Sequence, residues 1–504
     1  VMSTFHGLEM AKQALFAQQS ALYTTGHNIA NANTEGYSRQ RVNFETTSPY
    51  PAAARNRAQI PGQMGTGVEA GSIQRIRDQY LDMQYRGENS KAGYWEAKSN
   101  ELSRMENLLN EPSEAGLSSV MDQFWQALQD LSVNPENAGA RSVVIQRGQA
   151  VAETFNYLSS SLESIRVDLK NQINTTVLDA NSLIEQIHAI NVQAGELEPH
   201  GYVANDLYDE RDRLIDELSS MMNIKVDRHK SADSSRDIAD GVVTIELLDD
   251  AGKSTGIKLV DGQNLDYGRL SAQYKSDDNT EFDGMDAVEG ITIKDANGTK
   301  EIMEHVINSS GSLKAYMETY GYDISGDNAY PTGDFPTMLR QLDEMAFGFA
   351  SAFNRIHGGI EEKNFFGGID DPFGAAENIF VEITEGSDIH ASSENGYGDI
   401  ANSLANLLES PIAELDNTSI GTYYQSIIGK LGVDAQQANG MKDNTNILRA
   451  QVANQRMSVS SVSLDEEMTN LLKFQHAYNA AARMMTSTDE LLDRVINNMG
   501  LVGR

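Results

Sequence analysis

The sequence predicts a mainly α protein: a long helical rod, a discontinuous terminal coiled-coil domain in which the N- and C-terminal helices pair, and a small inserted β-rich domain. Three observations predict it. Apolar residues recur every seven positions at both ends of the chain and along a central stretch, the period of a helix with a packed seam. Prolines are scarce, with none before Pro49 or after Pro411, so both ends are free to be long helices. Residues 225–307 break the helical period with β-branched runs set between turn clusters.

The first helix is expected from Phe5 to Ala32. Leu8, Leu15, Leu22 and Ile29 form one strong seam, and Ala11, Gln18 and Thr25 a weak second one. Asn28, Asn31 and Asn33 crowd its end, and Gly36 supplies a stop. From Tyr37 to Gly71 prolines and glycines erase the period, which predicts an extended, looping arm. The arm is basic in an acidic chain, with Arg39, Arg41, Arg55, Arg57, Arg75 and Arg77 against two acidic residues.

Helices are expected to resume near Ile76; one candidate runs over Trp95–Asn110, stopped by Glu111-Pro112, and a second uses the apolar face of Leu117, Val120, Phe124, Leu128 and Leu131, ended by Asn134-Pro135. The longest helix is expected from Ala140 to Gln193. One seam is Phe155, Leu162, Leu169, Thr176, Leu183 and Ile190, and the other is Val144, Val151, Leu158 and Ile165. Such a helix is a rod of about 80 Å, a shape foreign to a compact enzyme. A further helix covers Asn205 to Met222.

In the insert, Val242–Leu248, Ile257–Val260, Ile291–Ile293 and Glu301–Met303 are expected strands, with turns at Asp249–Gly252 and Asp295–Gly298. Helices return at Gly311–Tyr320 and Phe335–His357, and residues 358–398 show no period. Leu448–Val459 is helical in period, and a Ser-rich joint, Ser458–Ser463, follows. The last helix has Leu464, Leu471, Tyr478, Met485, Leu492 and Met499 on one seam and Met468, Gln475, Ala482, Asp489 and Ile496 on the other. Ser463 and Glu466 are spaced as a capping box at its start. The incomplete seams at the two ends suit each other. The expected division is 1–45 with 460–504 as the terminal domain, 46–224 with 308–459 as the helical middle, and 225–307 as the insert.

Charge and composition exclude much. With 39 Lys and Arg against 73 Asp and Glu, the net charge is −34, which argues against nucleic acid and against an anionic membrane surface. The longest apolar stretch, around Met345–Phe353, is too short for membrane insertion. The absence of cysteine excludes disulfides, thiolate catalysis and zinc–thiolate sites. No cleavable signal peptide is visible. Gly252-Lys253-Ser254 ends like a phosphate loop, but the position that needs the first glycine holds Leu247. Asn279, Glu281, Asp283 and Gly284 resemble half a calcium loop, but its twelfth position is Gly290. The nine histidines are scattered. No catalytic, cofactor-binding or metal-ligating residue is expected.

The run Asn28-Ile29-Ala30-Asn31-Ala32-Asn33-Thr34-Glu35-Gly36-Tyr37-Ser38-Arg39 resembles the N-terminal signature of the axial proteins of the bacterial flagellum, the rod, hook and hook-associated proteins. Phe474-Gln475-His476-Ala477-Tyr478-Asn479-Ala480-Ala481-Ala482-Arg483 is similar to the C-terminal helix of that family. Asn205–Leu214 and Ser463–Glu467 narrow the resemblance to the hook-associated members that join hook to filament. The resemblance implies a structural component of the hook–filament junction that carries no catalysis. It implies a homo-oligomeric ring, with the hook protein and the next hook-associated protein on the filament side as partners. It also implies a cytoplasmic export chaperone for the C-terminal helix, and secretion through the flagellar type III channel to the extracellular flagellum. The expected assembly interface is Leu8, Leu15, Leu22, Ile29, Asn28, Asn31, Asn33, Gly36, Tyr37, Arg39, Leu464, Met468, Leu471, Tyr478, Ala482, Met485, Leu492 and Met499.

Two further expectations follow. The basic arm either is solvated or lies on an acidic face of an adjacent subunit. The family usually places a glycine in the Ser-rich joint where this chain has Ser461, which implies a stiffer joint. The alternative reading is a secreted surface binding protein or enzyme whose inserted β-domain carries the activity, since the insert matches nothing in the resemblance.

Overall fold

The computed structural model describes residues 5–51, 55, 62–109, 116–275, 285–323, 330–358, 363–394 and 396–497. Met499, Arg57, the Glu111-Pro112 stop and the calcium-like run from Asn279 to Gly284 lie outside the described residues.

Helix α1 spans His6–Ala30 and leads into a two-stranded ribbon, β1 (Gln40–Thr46) and β2 (Val68–Arg75). Three helices follow, α2 (Gln79–Leu109), α3 (Leu117–Val133) and the 60-residue α4 (Ala138–Leu197), and then α5 (Asn205–Met221). The insert contributes β3 (Ile224–His229), β4 (Val242–Leu248), β5 (Ser254–Asp261), β6 (Asp266–Tyr267), β7 (Arg269–Tyr274), β8 (Val288–Asp295) and β9 (Gly298–Glu301). The short α6 (Met303–Ile307) precedes α7 (Ser312–Tyr320), α8 (Asp334–His357), α9 (Ala375–Asn378) and α10 (Asp399–Ala405). Two long helices close the chain, α11 (Ile420–Ser460) and α12 (Leu464–Asn497).

Helix α4 is the axis of the body, and its length corresponds to about 90 Å. Asn137 starts it, the side chain accepting from the Gly139 and Ala140 amides. The expected seams are buried, from Val144, Val151 and Phe155 to Leu183 and Ile190. Near its start, α3 and α8 close an aromatic core of Phe124, Phe349, Phe353, Phe365 and Phe366, whose neighbouring rings lie as close as 4.8 Å. Gly148 is required there: a Cβ on it would stand 2.7 Å from the Phe365 ring.

The strands of the insert form two sheets, of order β3-β4-β5-β6 and β7-β8-β9. Both lean on α4. Asn181 holds Leu270 in an amide clamp, accepting from its N–H (2.7 Å) and donating to its carbonyl (2.9 Å). Asn191 holds Val243 in the same way (3.0 and 2.8 Å). The sheet interiors, Val243, Ile245, Leu259, Ile291 and Ile293, share one hydrophobic core with α4.

Four expectations need correction. The arm expected to loop forms the antiparallel β1–β2 ribbon, registered from Gln40 opposite Arg75 to Thr46 opposite Val68. A bulge after Asn43 interrupts the alternation that would have betrayed it. A domain boundary at residue 45 therefore cuts a hydrogen-bonded pair. Helix α2 runs unbroken from Gln79, close to the expected resumption near Ile76, and the candidate start at Trp95 fell inside it because the inner face of its first half is polar, with Asp82, Arg86, Asn89 and Ser90 buried. Helix α11 begins at Ile420, well before Leu448. Its apolar face, Tyr424, Ile427, Leu431 and Ala435, is interrupted by four glycines that weaken any helical reading. The strand expected to reach Met303 stops at Glu301, whose carboxylate accepts from the Ile291 and Met303 amides (3.0 and 2.8 Å) and opens α6.

Candidate assembly interface

The two ends of the chain pack as antiparallel helices. Gly7, near the start of α1, lies against Thr488, near the end of α12, and Asn28, near the end of α1, meets Glu467. The α12 face turned inward is Glu467, Leu471, Phe474, Tyr478, Ala481, Met485, Thr488 and Leu492, spaced by four and three. On α1 the fully buried residues are small: Ala11, Ala17, Ala21, Thr24, Thr25 and Asn28. They lie between α12 and the β1–β2 ribbon, which also packs on α1. Small side chains let the elements approach closely, so Leu8, Leu15, Leu22 and Ile29 flank this face half-buried.

This corrects the second seam of α12. Two heptad frames share the row Leu471, Tyr478, Met485 and Leu492. Sequence spacing favoured the frame that adds Met468, Gln475, Ala482, Asp489 and Ile496. The structure uses the frame one residue earlier, because Glu467 bonds Asn28 (3.0 Å) and the Phe474 ring meets Phe44 of the ribbon edge-on at 6.0 Å. Leu464 and Met468 are therefore about half exposed, at 49% and 51%, and Ala482 sits half-buried at the margin. Helix α1 has an outward row of its own, Phe5, Phe16 and Tyr23. Leu472 joins Leu464 and Met468 on α12, and Met484, Leu491 and Val495 are exposed further along it.

The asparagine turn works as a hub. Asn28 donates to the Gln40 carbonyl (2.8 Å) and to Glu467, and its carbonyl oxygen accepts from the Tyr37 hydroxyl (2.8 Å) and the Gln40 amide (3.0 Å). All four bonds of the Asn28 amide group are made inside a helix–ribbon–helix junction. Asn31 ends α1 and donates to the His27 carbonyl (3.1 Å), and its side-chain oxygen accepts from Thr34 (3.1 Å). Asn33 is exposed in the turn. Gly36 is left-handed (φ 79°), and a Cβ there would press on Arg213 at 3.3 Å. Burial, with Asp206 and Asp209 nearby, pushes the Tyr37 phenol well above its ordinary range.

Arg39 ties three segments together. Its N–H donates to the Ser460 carbonyl (2.9 Å) and its carbonyl accepts from Ile76 (2.8 Å). Its guanidinium grips Glu466 bidentately (2.9 and 2.7 Å) and Glu467 (2.8 Å). Glu466 is thereby drawn away from the expected capping box. Arg75 and Arg77 are also paired within the chain, with Asp209, Asp212, Asp240 and Asp82. The basic arm therefore finds its acidic partners at home, and Arg41 and Arg55 are the exposed remainder among its described residues. Ser461 ends α11 in extended backbone (φ −75°, ψ 157°), a conformation that needs no glycine.

Sequence reasoning missed Glu467, Phe474, Phe44 and the outward aromatic row of α1. Glu467 and Phe474 lie inside runs whose resemblance was legible. Phe44 was hidden by the bulge beside it.

Three family descriptions match the chain. The flagellar hook-associated protein FlgK helical domain covers residues 102–364, the flagella basal body rod protein residues 8–37, and the flagellar basal body rod FlgEFG protein C-terminal region residues 453–499. The flagellar hook-associated protein 1 of Bacillus subtilis is 46% identical over 100% of this chain and 100% of its own. The proteins so named from Escherichia coli and Salmonella typhimurium are 26% and 24% identical over 97% of this chain and 98% of theirs. The solved structure of the flagellar hook junction protein FlgK from Burkholderia pseudomallei superposes with a TM-score of 0.60 at 13% identity. It covers 75% of this chain and 100% of that one, and shows a shared fold.

Proposed function

The chain belongs to the flagellar hook-associated protein 1 family, and from that membership we propose that it is a structural subunit of the bacterial flagellum at the junction between hook and filament. Its work is mechanical and involves no catalysis. Copies of the chain form a ring that contacts the hook protein on one side and the next hook-associated protein on the other. The chain reaches the extracellular flagellum through the flagellar type III channel, and a cytoplasmic chaperone guards α12 before export. The terminal module consists of α1, the ribbon and α12, and the remaining elements form the body.

One observation carries the assembly reading. Helices α1 and α12 pair along one face, and each keeps a second apolar row turned outward: Phe5, Phe16 and Tyr23 on α1, and Leu464, Met468 and Leu472 on α12. Apolar rows on both partners of a helix pair suit further helices from neighbouring copies. The alternative, activity seated in the inserted strands, has less behind it. The cleft of ≈ 570 Å³ between their turns is lined by aspartates already engaged locally. Asp261 bonds Lys258 and Asn264, and Asp266 accepts from the Ala296 amide.

The test is the double variant Phe16→Asp, Met468→Asp. Both positions are exposed in the free chain, so secretion and the folded body should persist while the protein disappears from hook tips. Wild-type occupancy of hook tips by this variant would overturn the assembly reading.

A further inference from the structure

Helix α5 carries the run Asn205–Leu214, which lies outside the α1–α12 pair. Its aspartates at 206, 209, 212 and 216 fall on one side of the helix, three or four residues apart. Two segments pass between terminal module and body, residues 75–78 and residues 456–463 at the end of α11, and residues 37–40 lead from α1 into the ribbon within the module. All three are met by this aspartate row. From residues 37–40, the Ser38 amide donates to Asp209 (3.0 Å) and the Gln40 side chain to Asp206 (2.9 Å). From residues 75–78, Arg75 bonds Asp209 (2.7 Å) and pairs with Asp212 (3.1 Å), and Arg77 lies 3.5 Å from Asp212 and 3.8 Å from Asp216. From residues 456–463, Arg456 bonds Asp216 (2.6 Å).

Body residues complete the cluster. Arg86 of α2 pairs with Asp212 and Asp216 (3.1 and 2.8 Å), and Arg228 of β3 with Asp212 and Asp240 (3.4 and 2.8 Å). Asp82 of α2 bonds Arg77 (2.7 Å). Asp212 is almost fully buried, at 1% exposure, with four guanidiniums around it. Rigid, planar guanidiniums on a buried shared carboxylate admit few relative positions of the elements that carry them. Buried ion clusters add little net stability, but they can select one arrangement over others.

We propose that the aspartate face of α5 is an orienting latch that fixes the direction in which the ribbon and the terminal module leave the body. The residues are positioning residues: they act on the geometry of the joint and touch no partner. In an adapter between two lattices, that direction decides whether both ends can be engaged at once.

The chain has no cysteine, so a spin-label pair can be introduced cleanly at Glu69→Cys in β2 and Asp179→Cys in α4, both exposed. Pulsed dipolar spectroscopy on the free labelled chain should give one narrow distance distribution. Adding Asp209→Asn or Asp212→Asn should broaden it at least twofold, with helix content unchanged by circular dichroism. Asp212→Asn also strips Arg86 and Arg228 of a partner and can fail to fold. In that event Asp209→Asn, which loosens Ser38 and Arg75, carries the test. A narrow distribution in the variant overturns the latch, as does a broad one in the parent. Equal broadening by Arg104→Ala, an exposed pair on α2 remote from the joint, would mean general loosening and overturn it too. The distance is read on the free chain, so it stands or falls apart from the site of assembly.

Discussion

The body and the terminal module are both helical, yet opposite means hold them together. The body buries large side chains completely: Phe124, Phe349, Phe353, Phe365 and Phe366 interlock around α4, and Gly148 is the space that lets them do so. The terminal module buries alanines and threonines, keeps its leucines half-buried, and relies on one amide hub at Asn28 and one arginine at Arg39. Packing that is complete in one chain is stable in one chain. The terminal module leaves apolar rows outside. The difference separates a part whose packing is complete in one chain from a part whose packing we propose is completed by neighbours.

The sharpest way to break this comparison is to injure each region in turn. Phe353→Ala should cost about 3–5 kcal/mol through the cavity it leaves, and a denaturant titration should show the body's transition shifted to lower concentration. Leu471→Asp in α12 should leave that transition in place while removing the protein from hook tips. If Leu471→Asp lowers the main transition as far as Phe353→Ala does, the two regions form one cooperative unit.

Acid should also strike the body first. His357 is buried at the end of α8 and held neutral: its Nδ1 donates to the Lys363 carbonyl (3.2 Å), and its Nε2 accepts from the His390 amide (3.0 Å). Burial pushes its pKa down to about 4. The folded value lies below the unfolded one, so the neutral imidazole favours the fold. Stability is full above about pH 6.5, falls as the unfolded chain takes up the proton, and levels off below the folded value. The loss across that window is about 3 kcal/mol. Stability measured from pH 7 to 4 should fall less steeply in His357→Gln. Parallel curves would mean that another group dominates.

Asn28→Ala should cost about 1–3 kcal/mol, because it strands the Gln40 amide and takes one bond each from the Tyr37 hydroxyl and the buried Glu467 carboxylate. The loss should stay local. Amide exchange in α1 and α12 should accelerate while α4 remains protected. In the wild-type free chain, α1 and α12 should already exchange faster than α4 and slow on assembly. Equal protection of all three helices would erase the distinction between the regions.

The smallest effect is expected on the ribbon. Arg41→Glu changes an exposed charge, and the unfolding midpoint should not move measurably. A clear shift would reveal a contact for the basic remainder of the arm.

Both long terminal helices, the central rod and strand β4 were legible in the sequence because each is a local pattern. A seven-residue apolar period or a β-branched run between turns states its own structure. Half of the candidate interface was legible as well. Asn28 and Gly36 stood out as residue types suited to a helix end, Tyr37 and Arg39 by the run that carries the resemblance, and Leu471, Tyr478, Met485 and Leu492 by their spacing. Inner faces that are polar stayed hidden. The first half of α2 buries Asp82, Arg86 and Asn89, a pattern that reads as solvent-exposed until partners are known. The six arginines of the arm read as one basic loop, but Arg39 and Arg75 are matched by acids more than a hundred residues away, and Arg77 by Asp82 of the next helix.

The sequence by itself determined that both ends and the central rod are helices, that the two ends suit each other, and that no thiol chemistry is available. Those properties depend on neighbours three, four or seven residues apart, or on composition. Tertiary structure alone decided which of two equivalent heptad frames α12 turns inward. It also decided that the arm pairs with itself, and that α5 receives every segment passing between the two parts. The frames share the row Leu471, Tyr478, Met485 and Leu492, so spacing cannot choose between them. Contacts do: the bond from Asn28 to Glu467 and the ring of Phe44 on Phe474 join residues over four hundred positions apart.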